Sequence, residues 1–171
     1  MSSKVQENFN LMKKTAIILI LGIFMFSCQP RQATPIFDIQ KEKPKVETAI
    51  HNSIGWVKDK DTAMLYSIIA DDENYLEVHP ENTVVIGIEK FREAERFWLD
   101  ERFKHVSFKI WDLKINFSAD GNVAWFYCML NDFNDWQGQA ANWENTRWTG
   151  VLEKREGKWR MVQMHFSYPS N

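Results

Sequence analysis

The chain has 171 residues, of which 44% are hydrophobic and 26% charged, and a formal net charge of −2 at pH 7. That length suits one ordinary domain with a sizeable core, and the near balance of charge with no basic tract argues against nucleic acid as a partner. Its 2 cysteines give no disulfide framework, and its 4 scattered histidines form no H-x-x-x-H or Cys/His cluster, so no structural metal is expected.

Residues 1–10 are polar. Lys13-Lys14 then precedes an apolar run, Ala16 to Phe26, that ends at Ser27-Cys28. A positive end, a short apolar core and a small residue before the cut describe a secretory signal. The run is about half the ~20 residues that a spanning helix needs. Met25-Phe26-Ser27-Cys28 resembles the lipobox of bacterial lipoproteins, with Met25 where Leu is usual and a bulky Phe26. That resemblance implies that Cys28 is the lipidated N-terminus of the mature protein, held by several acyl chains. Gln29 is not the Asp that marks inner-membrane retention, so the resemblance implies an outer-membrane lipoprotein facing the periplasm or the cell surface. The alternative is a signal peptide cut elsewhere, with a free Cys28. Met1 and Met12 are both candidate starts, and Met12-Lys13-Lys14 is the more usual opening.

Gln29 to Pro44 has prolines, mixed charge and little apolar periodicity, and reads as a flexible tether. Ile36-Phe37 suggests the alternative of a short ordered arm packed on the domain. The expected organisation is therefore a signal peptide over 1–28, a tether over 29–44 and one folded domain over 45–171.

Val46, Ala49, Ile50, Ser53, Ile54 and Val57 recur at helical steps. Lys58-Asp59-Lys60-Asp61 breaks that helix, and Asp61 is placed to cap a second, Thr62 to Ala70. Asn74 to His79 reads as a short strand ended by Pro80, and a third helix follows Gly87, from Ile88 to Arg102. Val106 to Phe117 is a strand whose apolar parity switches near Trp111-Asp112, the mark of a β-bulge. Val123 to Phe133 is apolar on both faces, as in a central strand covered on both sides, with Asp132 breaking the pattern. Asn134 to Asn142 reads as a polar loop with Trp136 and Trp143 at its edges.

Trp143 to Ser167 reads as two long strands joined by a turn at Lys154-Arg155-Glu156-Gly157-Lys158. A type I turn with Gly157 in a G1 bulge sets Arg147 opposite His165 and Thr149 opposite Gln163. These four share one face with Val151 and Met161, while Trp148, Leu152, Val162, Met164 and Phe166 share the other. A two-residue Glu156-Gly157 loop is the alternative and shifts the register by one. The second face is too large and apolar to leave wet, so a homodimer is expected through it.

Arg147 to Trp159, R-W-T-G-V-L-E-K-R-E-G-K-W, followed by Q-M-H-F-S, resembles the closing hairpin of SnoaL-like proteins in the NTF2-like superfamily. The resemblance reaches back to about Val46. It implies an α+β fold: a cone of three N-terminal helices packed on a curved, mostly antiparallel sheet, with its mouth as the ligand site. It says little about activity, because the superfamily holds enzymes, binders and assembly domains.

Within such a cone Asp132 and His165 are the candidates for moving a proton. Arg147 stays charged and needs a partner if buried, and Asp132 is the expected one, as a structural pair or as a site in which Arg147 holds an anionic or carbonyl oxygen. Thr149 and Gln163 would add neutral hydrogen bonds. The resemblance places Tyr75 and His79 near the mouth, with a plain surface position as the alternative, and Trp98, Trp111 and Trp143 are candidate cavity walls among 8 tryptophans. For each tryptophan taken singly, and for His165, a place in the core is the alternative. No phosphate loop, dinucleotide fingerprint or G-x-S-x-G serine is present, and no cofactor is expected. Three functions remain open. One is a lipid-anchored envelope protein binding a small, partly apolar molecule; another is a cofactor-free isomerase, cyclase or hydratase; the third is an assembly domain.

Overall fold

A computed structural model describes residues 37–169 of the chain. The signal peptide, Cys28 and the first part of the expected tether lie outside the described residues. The architecture is α+β: three helices pack into the hollow of a strongly curled, seven-stranded sheet, a half-barrel cone. Among the described residues no helix is long and apolar enough to cross a membrane.

Helix α1, Ile39–Gly55, opens on Asp38, whose side chain accepts the backbone N–H groups of Gln40 and Lys41. Residues 39–44, expected to be tether, are therefore helical. Phe37 just before them packs on Phe117 at 5.1 Å between ring centroids, which is the ordered-arm alternative in part. Val46, Ala49, Ile50 and Ser53 form the buried stripe that the periodicity predicted. A 3-10 turn, Trp56–Lys58, carries the break, and Asp61 caps α2, Thr62–Ile68, by accepting the Met64 N–H at 2.8 Å. After β1, Leu76–Val78, and β2, Val84–Ile86, helix α3 runs Ile88–Leu99. It stops short of the expected Arg102 because the Asp100 carboxylate draws the Arg102 backbone N–H and guanidinium round into the next turn.

The sheet is built from β3, Phe103–Phe117, β4, Val123–Trp136, β5, Gln139–Ala140, β6, Trp143–Arg155, and β7, Lys158–Ser167. Its order is β2-β1-β7-β6-β4-β3, with β5 folded back on β4 inside the stretch expected to be loop. The long strands are antiparallel, while β1 lies parallel to β7. The expected bulge in β3 is present: the register shifts between Trp111 and Lys114, and Asp112 has φ 54°. A second shift, between His105 and Ser107, was not anticipated. It turns Val106 outward, 66% exposed, instead of aligning it with Phe108 and Ile110.

The closing hairpin departs from the preferred register. Arg155 faces Lys158 across a two-residue loop in which Glu156 and Gly157 both have positive φ, 51° and 77°. Two consecutive positive φ values define the type I′ turn that matches the strand twist, and glycine adopts one at no steric cost. A second shift between Val151 and Leu152 then sets Arg147 opposite Ser167, Thr149 opposite His165 and Val151 opposite Gln163. Two one-residue shifts restore the parity, so Arg147, Thr149, Gln163 and His165 do share a face. Met161 leaves them and is fully buried.

The orientation of the two faces is the main correction. Trp148, Leu152, Met161, Met164 and Phe166 are buried on the inner face, under the helices. The homodimer expected from an uncovered apolar face loses its basis.

Candidate functional site

The cone holds an open cavity of about 590 Å³, within the size range of small-molecule sites. Ile54, Trp56 and Val57 wall one side, Phe91, Phe97 and Trp98 of α3 another, and Trp143, Met164 and Phe166 form the floor on the sheet. Ala140, Ala141 and Asn142 close the edge where β5 leads into β6. Glu77, His79, Glu81, Asp132 and Asn134 supply most of the polar groups.

One polar wall belongs to β4. Asp132 faces inward opposite Trp143 on β6 and Phe108 on β3. Its Oδ2 accepts the Asn134 side-chain N–H at 2.8 Å, and Nδ1 of His105 lies 3.9 Å from Oδ1. Asn134 is held in turn, its backbone N–H donating to Asn142 Oδ1 at 3.0 Å. Burial raises the Asp132 carboxyl above its ordinary value, against the smaller lowering effects of Asn134 and then His105.

The other polar wall belongs to β1. Side chains two apart along a strand share a face, and β1 with its flanks directs Tyr75, Glu77 and His79 the same way. The Tyr75 hydroxyl donates to Glu77 Oε2 at 2.9 Å, and His79 Nε2 lies 2.8 Å from Glu77 Oε1. Tyr75 is fully buried and Glu77 is 4% exposed, while His79 lines the cavity with its ring centroid 5.3 Å from that of Trp143. Burial, and after it the charge of Glu77, hold the Tyr75 phenol well above its ordinary value, so it stays a donor.

The expected site residues divide between the two faces of the sheet. Asp132, His79, Trp98 and Trp143 line the cavity, and Tyr75 backs it through Glu77. Arg147, Thr149, Gln163, His165 and Trp111 lie on the outer face and do not line it. Arg147 faces Met129 and not Asp132, and its guanidinium donates to the Tyr168 carbonyl at 2.6 Å, so the expected Asp132–Arg147 pair does not form. His165 is exposed on the outer face, away from the cavity that Asp132 lines, so it is not placed to move a proton there. Glu77, His105 and Asn134 were not anticipated. Glu77 had a legible signal in the Tyr75-x-Glu77-x-His79 alternation. His105 had none, because the unexpected bulge at Val106 hides its parity. Among the described residues no group of three His, Cys, Asp or Glu side chains is placed to hold a metal ion.

A SnoaL-like domain family matches residues 46–171. No curated protein matches the sequence. Among solved structures, a candidate dehydratase of the NTF2-like family from Streptomyces avermitilis superposes with a TM-score of 0.66 at 18% identity, over 78% of this chain and 100% of that one. A candidate scytalone dehydratase from Novosphingobium aromaticivorans gives 0.64 at 10% identity, over 77% and 86%. A ketosteroid isomerase-like protein from Erwinia carotovora atroseptica gives 0.59 at 14% identity, over 77% and 98%. At these identities the likeness is one of fold.

Proposed function

The chain belongs to the SnoaL-like domain family, and from that premise we propose that its cone takes up a small, partly apolar molecule. The observation that carries this reading is the open cavity of about 590 Å³, walled by aromatic rings and carrying two separated polar groups. Apolar walls supply the affinity, and a few fixed polar groups supply the orientation. The test is thermal denaturation of the protein against a panel of one- and two-ring aromatic alcohols and ketones. A binder at ten times its Kd adds about 1.4 kcal/mol of stability, which raises Tm by several degrees. A panel in which nothing raises Tm would count against the reading.

A second reading, cofactor-free acid–base conversion of the bound molecule, is favoured by Asp132. A carboxyl raised by burial is a better proton donor near neutral pH than an ordinary aspartate. Two of the structural neighbours carry dehydratase in their names, which supports that reaction class without assigning a substrate.

We also propose that the domain is displayed in the cell envelope by a lipid on Cys28. The apolar run ending at Ser27-Cys28 supports this. Fatty-acid labelling in the membrane fraction should disappear in Cys28→Ala, and labelling that persists would exclude the anchor.

A further inference from the structure

We propose that Tyr75, Glu77 and His79 form a hydrogen-bonded relay that makes His79 a base in the cavity, suited to ligands with an acidic hydroxyl such as a phenol or an enol. The proposal deepens the small-molecule reading above and rests on it for the ligand, though not for the relay itself.

Three observations carry it. First, a carboxylate as buried as Glu77, 4% exposed, is costly unless donors surround it. It has two: the Tyr75 hydroxyl at 2.9 Å on Oε2 and the His79 ring at 2.8 Å on Oε1. Second, a carboxylate only accepts hydrogen bonds, so His79 Nε2 must carry the proton. In the neutral ring that leaves Nδ1 with a lone pair, and Nδ1 has no hydrogen-bond partner among the described residues. A carboxylate that fixes the tautomer of a histidine in this way also stabilises the imidazolium that forms when the histidine takes a proton. Third, the ring is held in place by aromatic neighbours. Trp143 and Phe166 meet it edge to face, at 5.3 and 6.3 Å between centroids, and Trp98 lies at 6.3 Å. A flat apolar ligand lying among these rings would bring its hydroxyl to the imidazole.

The proton balance is simple. The ligand O–H bond breaks, an Nδ1–H bond forms, and the electron pair stays on the ligand oxygen as phenolate or enolate. The imidazolium then pairs with Glu77 through Nε2–H. Glu77 acts on the ligand only through His79, so it is a positioning residue, and Tyr75 positions Glu77 in turn.

The experiment has two arms. In the first, the full chain is labelled with 15N-histidine, and the His79 tautomer is read from its imidazole nitrogen shifts at neutral and mildly alkaline pH. The relay predicts protonated Nε2 and bare Nδ1 in the neutral ring. In Glu77→Gln, the Tyr75 hydroxyl occupies the amide oxygen and the amide N–H groups face His79, so the ring moves toward the Nδ1–H tautomer. An Nδ1–H ring in the wild type overturns the relay, whether or not the variant folds. A tautomer unmoved by Glu77→Gln overturns it as well.

The second arm compares 2-naphthol with 2-methoxynaphthalene, which has the same ring body and no hydroxyl proton. The wild type should bind 2-naphthol at least tenfold more tightly, and Glu77→Gln should bring the two to within about threefold. Equal binding of both by the wild type overturns the role of His79 as a base for hydroxyl ligands. Binding of neither overturns the small-molecule reading and the ligand class with it, while the tautomer arm still judges the relay.

Discussion

Asp132 lines the cavity beside Asn134 and His105. Burial raises its carboxyl above the ordinary value, so between the unfolded and folded values the folded state holds the extra proton. Stability from this group is therefore full below the unfolded value and is lost as pH rises through the folded one. Asp132→Asn should raise Tm at neutral pH, with the gain vanishing below about pH 4. A variant less stable than the wild type at pH 7 would show that ionised Asp132 is a structural charge. Cys128 offers a second check at this scale. Burial pushes its thiol up to about 12 and leaves it fully enclosed, so a thiol reagent should modify it only after unfolding. Fast labelling of the folded domain would contradict the enclosure. At this scale the sequence is partly readable. Asp132 shows itself by interrupting an apolar strand, and Tyr75 and His79 by their place near the mouth. Glu77 sits between those two in plain alternation, yet an acid between polar neighbours looks like an ordinary exposed residue until the fold buries it.

The elements are joined by a few specific contacts. Glu42 on α1 ties that helix to the closing hairpin. It accepts from Lys45 at 2.8 Å, from the Trp159 ring N–H at 2.8 Å and from Lys154 at 3.0 Å. The hydrogen bond from Lys45 foremost, then those from Trp159 and Lys154, lower its carboxyl to about 2 despite burial. The folded value lies below the unfolded one, so this contribution is present above about pH 4.5 and is lost as pH falls toward 2. Glu42→Gln should cost about 1–2 kcal/mol at neutral pH, and urea midpoints of the two proteins should converge in acid. A gap that persists at pH 2 would assign the loss to packing instead.

Gly150 makes a different join. A Cβ there would lie 2.5 Å from the Phe126 ring and 2.8 Å from the Gln163 carbonyl oxygen. Gly150→Ala should destabilise by roughly 1–3 kcal/mol, and an unchanged midpoint would mean that Phe126 swings aside freely. The hairpin shows why sequence fails at this scale. Glycine alone does not separate a three-residue loop from a two-residue loop followed by a bulge. Parity survives because the two one-residue displacements add to two, an even number, and that is why the face groupings largely stand while the pairings do not.

For the whole molecule, the decisive question is which face of the sheet is the inside. Helices follow from the Val46, Ala49, Ile50 and Ser53 stripe, and the bulge from the parity switch at Trp111-Asp112, so the cone is legible in the sequence. The inside is not read from a cluster of reactive side chains. A half-covered antiparallel sheet turns its apolar face to the core and its polar face to water. Arg147, Thr149, Gln163 and His165 lie together because they are the wet side, and Trp148, Met164 and Phe166 are what the helices cover. Small molecules should therefore enter the cone and not bind the outer face. This is tested most directly by titrating three proteins with the aromatic panel: the wild type, Arg147→Ala on the outer face, and Ala141→Trp, which fills the cavity from its edge. Arg147→Ala should bind as the wild type does, and Ala141→Trp should fold with a similar Tm and lose binding at least tenfold. Binding that survives in Ala141→Trp and disappears in Arg147→Ala would place the site on the outer face instead.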